Sequence, residues 1–368
     1  MKKKNLCKTL LKTICIVLGI LILALLAYIV YLYASYYRIE DNQELVVEAP
    51  VDDTTTGAAA VLATDTEYSA VTYNIGFGAY LPDYSFFMDG GTSSWAESPE
   101  TVQYAINGAG ELVKSLDPDF ALIQEIDLDA TRSYHTDEYE MLRNLLPEYT
   151  TVFAQNYDSA FLFYPFTQPH GSSRAGLGLF SKYPVSSALR RSFPISTSFS
   201  KFFDLDRCYS VSRIPVDNGK ELVIFNLHMS AYGNSDEIRK GQIEMLCNDM
   251  AKEYEAGNYV LCGGDFNHDL KASEEDAENC ESWAFPFPRT ELPEHFAFCL
   301  DLLSSEERES LWNSARNADM EYVPGVTYTV TLDGFIISDN IECLSYENVN
   351  TGYSYSDHDP VKVEFALK

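Results

Sequence analysis

The sequence has few basic residues and few histidines for its length. Its 368 residues include 26 Lys and Arg against 55 Asp and Glu, a formal net charge of −29, and six histidines. Five of the bases are lysines within residues 1–12, so the rest of the chain has a net charge of −34. Such a chain lacks the basic stripe on which non-specific binding to long DNA depends. A phosphate substrate is not excluded, because a bound divalent cation reverses the local field.

The eight cysteines do not have the spacing of a metal site, and the chain has no internal repeat. Cys247 and Cys262 fall at apolar positions of a predicted helix and a predicted strand, so we interpret them as buried thiols. If the main domain lies outside the cytoplasm, Cys280 and Cys299 are candidates for a disulfide. The sequence alone does not establish that pairing.

Residues 13–34 contain no charged side chain and are long enough to span a bilayer as a helix. The run is longer than the core of a signal peptide, and tyrosines crowd its far end as in an interfacial aromatic belt; a cleaved signal peptide is the alternative. Lysines precede the run and acids follow it. The positive-inside rule therefore predicts a cytoplasmic basic tail (1–12), a single-pass anchor in the cell membrane and a main domain outside the cytoplasm. The acidic segment 35–67 is predicted to be a tether, and 68–368 one domain.

Short apolar runs alternate with amphipathic segments, which predicts an α/β fold. Helices are predicted over 99–116, with Ser98 as N-cap, over 135–146 and over 235–255. Two strand pairs are predicted, 176–180 with 185–189 and 207–215 with 221–227. Further strands are predicted over 68–73, 120–124, 149–153, 259–262, 327–331, 335–337 and 361–365.

The stretch 259–269, YVLCGGDFNHD, joins an apolar run to a polar turn. The run predicts a buried strand that ends at two glycines, since glycine permits backbone conformations that other residues avoid. Asp265 and Asn267 are two residues apart, so in extended chain their side chains point into a common pocket. Such a pocket suits a water, a metal ion or a phosphate oxygen; a strand-ending Asx turn is the alternative.

Polar residues follow most of the predicted strands at the point where each strand ends. In an α/β sheet such ends converge on one rim. A lone Asp there is usually a turn former, and a lone His is usually a hydrogen-bonded rim residue. A set of this size is harder to explain by turns and predicts a functional site. The set is Asn74, Glu125, His228, Asp265, Asn267, Asp333, Asp357 and His358.

Seven segments resemble, in order, the signature blocks of the endonuclease/exonuclease/phosphatase superfamily. They are YNIG, QEI, RCYSVSRIPV, FNLHMS, GGDFN, LDGFIIS and SDHDPV. That superfamily includes pancreatic-type deoxyribonucleases, abasic-site endonucleases, neutral sphingomyelinases and inositol polyphosphate 5-phosphatases. The resemblance extends from about Tyr68 to the C-terminus. It implies a four-layer α/β sandwich of two packed β-sheets flanked by helices, here preceded by one transmembrane helix, with an active site at one end.

The resemblance also implies a metal site. Glu125 would be the principal Mg²⁺ ligand, helped by Asn74 and Asp357. Hard carboxylate and amide oxygens suit Mg²⁺ better than Zn²⁺, and Mn²⁺ is the alternative ion.

The other roles implied by the resemblance concern water and phosphate. Asp265 would orient or deprotonate the attacking water, and Asn267 would hold the phosphate. His228 and His358 would donate to the phosphoryl oxygens, with Asp333 paired to His358. A further residue, Arg207, matches a phosphate-binding arginine of the nucleases.

The expected function is therefore Mg²⁺-dependent hydrolysis of a phosphodiester or phosphomonoester. The acidic surface favours a small or membrane-borne phosphate-ester substrate. The alternatives are a surface nuclease acting on DNA or RNA and a non-catalytic binding module of the same fold. Three loops rich in aromatic residues, within 157–166, 193–203 and 283–287, either pack as satellite cores or form a substrate rim. Nothing in the sequence points to a protein partner.

Overall fold

The computed structural model describes residues 2–52, 61–231, 236–273 and 284–368. The chain divides into two units, Met1–Arg38 and Ile39–Lys368. The first unit contains helix α1 (Lys2–Ser35). Its segment Leu6–Ser35 is long and apolar enough to cross a membrane, a property that a signal sequence shares.

The described part of the second unit contains two seven-stranded sheets and four α-helices. The first sheet has the order β1 (Gln43–Glu44), β7 (Ser187–Ser192), β8 (Cys208–Pro215), β9 (Glu221–His228), β10 (Tyr259–Asp265), β14 (Asp333–Ser338), β11 (Phe296–Phe298). The second has the order β15 (Ile341–Asn348), β16 (Val361–Leu367), β3 (Glu67–Asn74), β4 (Phe120–Ala130), β6 (Ser173–Ser181), β5 (Thr150–Asp158), β2 (Val47–Glu48). Strands β12 (Ala315–Arg316) and β13 (Thr329–Val330) form a separate pair, and the helices are α2 (Pro99–Leu116), α3 (Glu138–Leu145), α4 (Asp236–Glu255) and α5 (Ser305–Ser310).

The core follows from the alternation of side chains along the strands. On β4, Phe120 and Leu122 pack between the two sheets, whereas Ala121 and Ile123 face the cluster that includes Val102 of α2. Helices α2 and α3 thus cover the second sheet, and α4 packs an apolar face on the first. The predicted four-layer sandwich is confirmed.

Local signals placed α2 correctly. The Ser98 side chain accepts a hydrogen bond from the Thr101 amide at 3.1 Å, and Pro99 is the first helical residue. The helix ends at Asp117, whose φ of 48° is left-handed.

Two strands are longer than the sequence predicted. Strand β4 continues past Gln124 to Ala130, and β10 continues through Gly263 and Gly264. The glycines serve close packing instead of ending the strand. A Cβ on Gly263 would lie 2.5 Å from the Phe335 ring, and Gly264 has a φ of 145° with no room beside β9.

The predicted pairing of 176–180 with 185–189 is wrong. Strand β6 lies between β4 and β5 in the second sheet, and β7 lies beside β8 in the first. The bend at Tyr183 and Pro184 carries the chain from one sheet to the other. The predicted strand 327–331 is also wrong in extent, since only Thr329–Val330 pairs, with Ala315–Arg316.

The predicted tether is wrong for its described residues from Ile39 to Asp52. Within that part, β1 pairs with β7 and β2 pairs with β5, so the segment adds an edge strand to each sheet. Asp41 accepts hydrogen bonds from the Ser192 amide at 2.8 Å and from Arg191 at 3.0 Å. Asp41 thus holds the segment against strand β7. Residues 53–60 lie outside the described residues, as does Cys280, so its pairing with Cys299 stays a prediction.

Candidate active site

Three neighbouring strands of the first sheet place three polar side chains at one edge. Asp265 ends β10 and lies opposite His228, the last residue of the parallel strand β9. On its other side Asp265 lies opposite Asp333, the first residue of the antiparallel strand β14. The pairing of the strands is therefore what brings these residues together.

The second sheet contributes Asn74 and Glu125 from its own parallel pair. Asn74 ends β3, as predicted, but Glu125 lies within β4 at a bulge between Ile123 and Ile126. Its φ of 57° is left-handed, a conformation that costs a non-glycine residue about 1–3 kcal/mol. The expectation that Glu125 ends a strand is wrong. The bulge instead re-aims its side chain while the strand continues.

The Asp265 carboxylate is the centre of the cluster. Its Oδ2 lies 3.1 Å from Asn74 Nδ2, 3.4 Å from His228 Nε2 and 3.9 Å from His358 Nε2. Asn74 Nδ2 also donates to Glu125 Oε1 at 3.2 Å. Asp265 is buried, and burial raises its pKa to about 7 against the opposing charge of His358.

One side of the cluster consists of His358 and its partners. His358 Nδ1 lies 2.7 Å from Asp333 Oδ2, which also accepts a hydrogen bond from Ser314 Oγ at 2.7 Å. Ser314 Oγ in turn accepts from the Asp333 amide at 3.1 Å. Burial lowers the pKa of His358, but the charge and hydrogen bond of Asp333 outweigh it and raise the pKa well above its usual range. Asp333 therefore stabilises the imidazolium form of His358.

The other side consists of His228 and Arg207. Burial lowers the pKa of His228 well below its usual range, and the charge of Arg207 lowers it further. His228 Nδ1 has no hydrogen-bond partner among the described residues, nor do Arg207 Nε and Nη1. The nearest acid to Arg207 is Asp204, at 3.9 Å. A buried guanidinium in this state can still donate to an anion.

The three predicted metal ligands lie near one another. Asn74 contacts Glu125 directly, and a Cβ on Gly76, two residues after Asn74, would lie 3.2 Å from Asp357 Oδ1. Burial raises the pKa of both Glu125 and Asp357, and the charge of Asp357 raises the pKa of Glu125 further. The side chains of Asn74, Glu125 and Asp357 all offer oxygen atoms. The donor set thus fits a hard divalent cation.

A second group with metal-ligand atoms is formed by Asp265, Asp333 and His358, whose atoms lie within 4.8 Å of one another. In this group the Asp333 and His358 atoms are already hydrogen-bonded to each other at 2.7 Å. That hydrogen bond explains why the Asp333 and His358 atoms lie close together without a cation. This group is therefore less suited to a metal than the oxygen atoms around Glu125.

Asn267 makes the turn that the sequence left as an alternative. Its amide donates to Asp265 Oδ1 at 2.8 Å, and its Nδ2 donates to the Met229 carbonyl at 2.9 Å. It therefore fixes the Asp265 carboxylate and the segment after β9. The phosphate-holding role of Asn267 stays a prediction.

Sequence reasoning missed several supporting residues. Ser314 orients Asp333, and no local pattern marks it. Arg132 makes a bidentate ion pair with Asp127 at 2.8 and 3.1 Å, and its guanidinium lies 3.7 Å above the Phe77 ring. Its charge lowers the pKa of Glu125, although burial has the larger and opposite effect. The Asp127–Arg132 spacing alone carried no signal for this contact.

A buried amide pair links the two sheets beneath the site. Gln124 Nε2 of β4 donates to Asn226 Oδ1 of β9 at 2.8 Å, and Asn226 Nδ2 donates to the Gly178 carbonyl at 3.0 Å. Gln124 directly precedes Glu125, and Asn226 lies two residues before His228. The link therefore sets the distance between the two halves of the site.

The three loops rich in aromatic residues contain both buried and exposed rings. Some of their rings are buried in the core and others are exposed. Trp283 lies outside the described residues. The buried rings are Tyr157, Phe193, Phe202 and Phe287, and the exposed rings are Phe163, Tyr164, Phe166, Phe199, Phe203 and Phe285.

A family model and a set of solved structures match this chain. The model of the Endonuclease/Exonuclease/phosphatase family matches residues 71–302. No curated protein sequence matched the chain.

Solved structures with the same fold share little sequence. An endonuclease/exonuclease/phosphatase from Beutenbergia cavernae is 15% identical with a TM-score of 0.54, over 82% of this chain and 72% of that one. D. rerio TDP2, complexed with single strand DNA product, is 14% identical with a TM-score of 0.54, over 82% and 100%. The human Nocturnin catalytic domain with bound sulfate anion is 14% identical with a TM-score of 0.52, over 84% and 96%. At these identities the likeness concerns the fold alone.

Proposed function

The chain belongs to the endonuclease/exonuclease/phosphatase family, whose members hydrolyse phosphate ester bonds, and we propose that it is a divalent-cation-dependent phosphoesterase. The observation that carries this proposal is the buried carboxylate of Asp265, which faces two histidines, His358 held in its charged form and His228 in its neutral form. A phosphoester hydrolase needs a group that accepts a proton from water and groups that stabilise negative charge on phosphate. The residues around Asp265 supply both.

The cation is assigned to Glu125, with Asn74 and Asp357, and Mg²⁺ is the preferred ion. A bound Mg²⁺ supplies a positive charge that polarises a phosphate oxygen. The other residues act directly on water and substrate. Asp265, with its pKa raised to about 7, is suited to orient a water molecule and accept its proton.

The two histidines have different tasks in this proposal. His358, charged by Asp333, donates from Nε2 to a phosphoryl oxygen that gains negative charge. His228 is neutral, and its Nε2 lies 3.4 Å from an Asp265 oxygen and 3.9 Å from a Glu125 oxygen, which favours the tautomer with a proton on Nε2. Its N–H then orients the phosphate without adding charge. Arg207 binds a further phosphate oxygen through its unpaired nitrogens.

The substrate class proposed is a small or membrane-borne phosphodiester. The net charge of −29 opposes binding of long nucleic acids. Single-stranded DNA is the competing class, because the D. rerio TDP2 structure has such a product bound.

Metal dependence tests the proposal. The full chain in detergent should hydrolyse a simple phosphodiester with Mg²⁺ or Mn²⁺ and lose that activity in excess chelator. Glu125→Ala should abolish hydrolysis and weaken Mg²⁺ binding measured by calorimetry. Glu111→Ala, which removes an exposed acid on α2, is the matched control and should change neither. Full activity in excess chelator would refute the proposal.

The location proposed is the cell membrane, with α1 as anchor, the N-terminus in the cytoplasm and the catalytic domain outside. It is supported by the apolar segment Leu6–Ser35 and the lysines before it. Protease added to intact cells should degrade the domain. Complete protection would place it on the cytoplasmic side.

A further inference from the structure

The loop between β5 and β6, residues 159–172, contains no Asp, Glu, Lys or Arg in a chain of net charge −29. We name it the aromatic loop. Three of its rings are exposed, Phe163 by 50%, Tyr164 by 60% and Phe166 by 85%. Single exposed apolar residues are ordinary on protein surfaces, but a contiguous uncharged group of rings marks a binding surface.

The aromatic loop is held in place by hydrogen bonds. Leu162 and Gly171 exchange backbone hydrogen bonds of 2.9 and 3.0 Å, which close the loop as a small hairpin. Ser94 Oγ and Trp95 Nε1 each donate to a carbonyl of the loop at 2.6 Å. These hydrogen bonds fix the backbone of the loop that carries the exposed rings.

A chain of ring contacts connects the aromatic loop to the candidate active site. The Tyr164 ring lies 5.8 Å from Phe87, Phe87 lies 5.0 Å from Phe86, and Phe86 lies 6.2 Å from Phe77. Phe77 follows Asn74 by three residues. A surface that binds the aromatic loop would therefore lie on the side of the candidate active site that contains Asn74 and Glu125.

We propose that the aromatic loop enters the headgroup region of a lipid bilayer and brings the site to a membrane-borne phosphate ester. The proposal rests on the proposed function and names its substrate class. Phe and Tyr side chains without acids match the interfacial region of a bilayer. The same chain also has a helix apolar enough to cross a bilayer. A membrane is therefore a surface that this chain is expected to meet.

A nucleic acid fits this loop less well. Binding to single strands combines stacking rings with cationic side chains that follow the phosphates. The loop has no Lys or Arg, and burial lowers the pKa of its one histidine, His170, to about 3, so it has no positive charge at neutral pH.

A quenching experiment tests the membrane contact without relying on catalysis. Phe166→Trp and the control Leu344→Trp are made in the full chain and reconstituted in phosphatidylcholine vesicles with or without bromine on the lipid chains. Leu344 is also exposed, by 42%, on β15, at the opposite edge of the second sheet from β5. After subtraction of the parent emission, Phe166→Trp should lose about half or more of its signal, as expected for interfacial burial. Leu344→Trp should lose little.

A hydrolysis experiment tests the substrate class. Phe163→Ser, Tyr164→Ser and Phe166→Ser are combined in one variant. It should hydrolyse a phosphodiester lipid in vesicles about 10-fold more slowly, because the three serines remove apolar surface that the rings bury in the bilayer. Hydrolysis of bis(p-nitrophenyl) phosphate in solution should be unchanged, and Leu344→Ser should change neither rate.

The outcomes separate the two proposals. No quenching of Phe166→Trp would overturn the membrane contact, even if hydrolysis is robust. Quenching without hydrolysis of any phosphate ester would support the contact and overturn the proposed function. Slower cleavage of single-stranded DNA by the triple variant, with unchanged lipid hydrolysis, would make the loop a nucleic-acid surface and overturn the inference.

Discussion

The two sides of the Asp265 carboxylate differ in what holds each histidine. On one side Asp333 lies 2.7 Å from His358 and raises its pKa. On the other, His228 Nδ1 has no hydrogen-bond partner among the described residues, and burial together with the charge of Arg207 lowers the pKa of His228. Two histidines within 4 Å of one carboxylate thus favour different protonation states, His358 the charged form and His228 the neutral form. The role of each histidine is set by the residue behind it.

The largest expected effect comes from removing the group that the two sides share. Asp265→Asn should lower hydrolysis by about 10⁴-fold, the upper end of general acid–base effects, because the amide cannot accept the proton of water. The folded structure should persist in circular dichroism. Asp217→Asn, at the exposed β8–β9 turn, is the control and should keep the wild-type rate. A similar rate in both variants would contradict the central place of Asp265.

The next largest effect is expected from substitutions that change only the residues behind His358. Asp333→Asn removes the charge that keeps His358 protonated and should lower the rate by about 10²–10³-fold. Ser314→Ala removes one hydrogen bond to Asp333 and should cost about 10-fold or less. Steady-state rates at pH 7 check this order. A larger loss in Ser314→Ala than in Asp333→Asn would contradict the assigned roles.

A smaller effect concerns the other side. Arg207→Gln should lower kcat/KM by about 10–100-fold, since a charge-assisted hydrogen bond to phosphate contributes about 1.5–3 kcal/mol. Arg207→Lys keeps the charge but not the planar fork and should restore only part of the loss. Equal kcat/KM in wild type and Arg207→Gln would exclude the residue from substrate binding.

The smallest effect comes from a histidine away from both sides. Burial lowers the pKa of His170 from 6.5 to about 3 in the folded protein. Below pH 6.5 the unfolded state binds a proton that the folded state does not, so stability falls as the pH drops. From pH 6.5 to 5.5 wild type should lose about 1 kcal/mol more unfolding free energy than His170→Asn. Urea denaturation at both pH values measures this difference, and equal losses would contradict the burial of a neutral His170.

The sequence predicted the main strands and the site positions because their signals are local. Apolar runs mark strands such as β10, and the cap at Ser98 marks α2. The edge strands β1 and β2 carried no such signal. Each has only two residues in an acidic segment, and its partner is distant in sequence.

The site itself was predicted as a set of residues but not as an arrangement. The bulge at Glu125 depends on pairing between β4 and β6, and the Gln124–Asn226 bond depends on how the sheets pack. Ser314 reaches His358 through Asp333, nineteen residues later in the chain. None of these contacts has a pattern within a short window of sequence, so only the folded structure supplies them.

A double-mutant cycle between Asp333 and His358 tests most directly whether the residue behind a histidine assigns its role. Hydrolysis rates are measured for wild type, Asp333→Asn, His358→Ala and the double variant, with Mg²⁺ saturating in each. If Asp333 acts through His358, the double variant should be about as slow as His358→Ala alone. Losses that multiply in the double variant would show that the two residues act independently and would contradict the account.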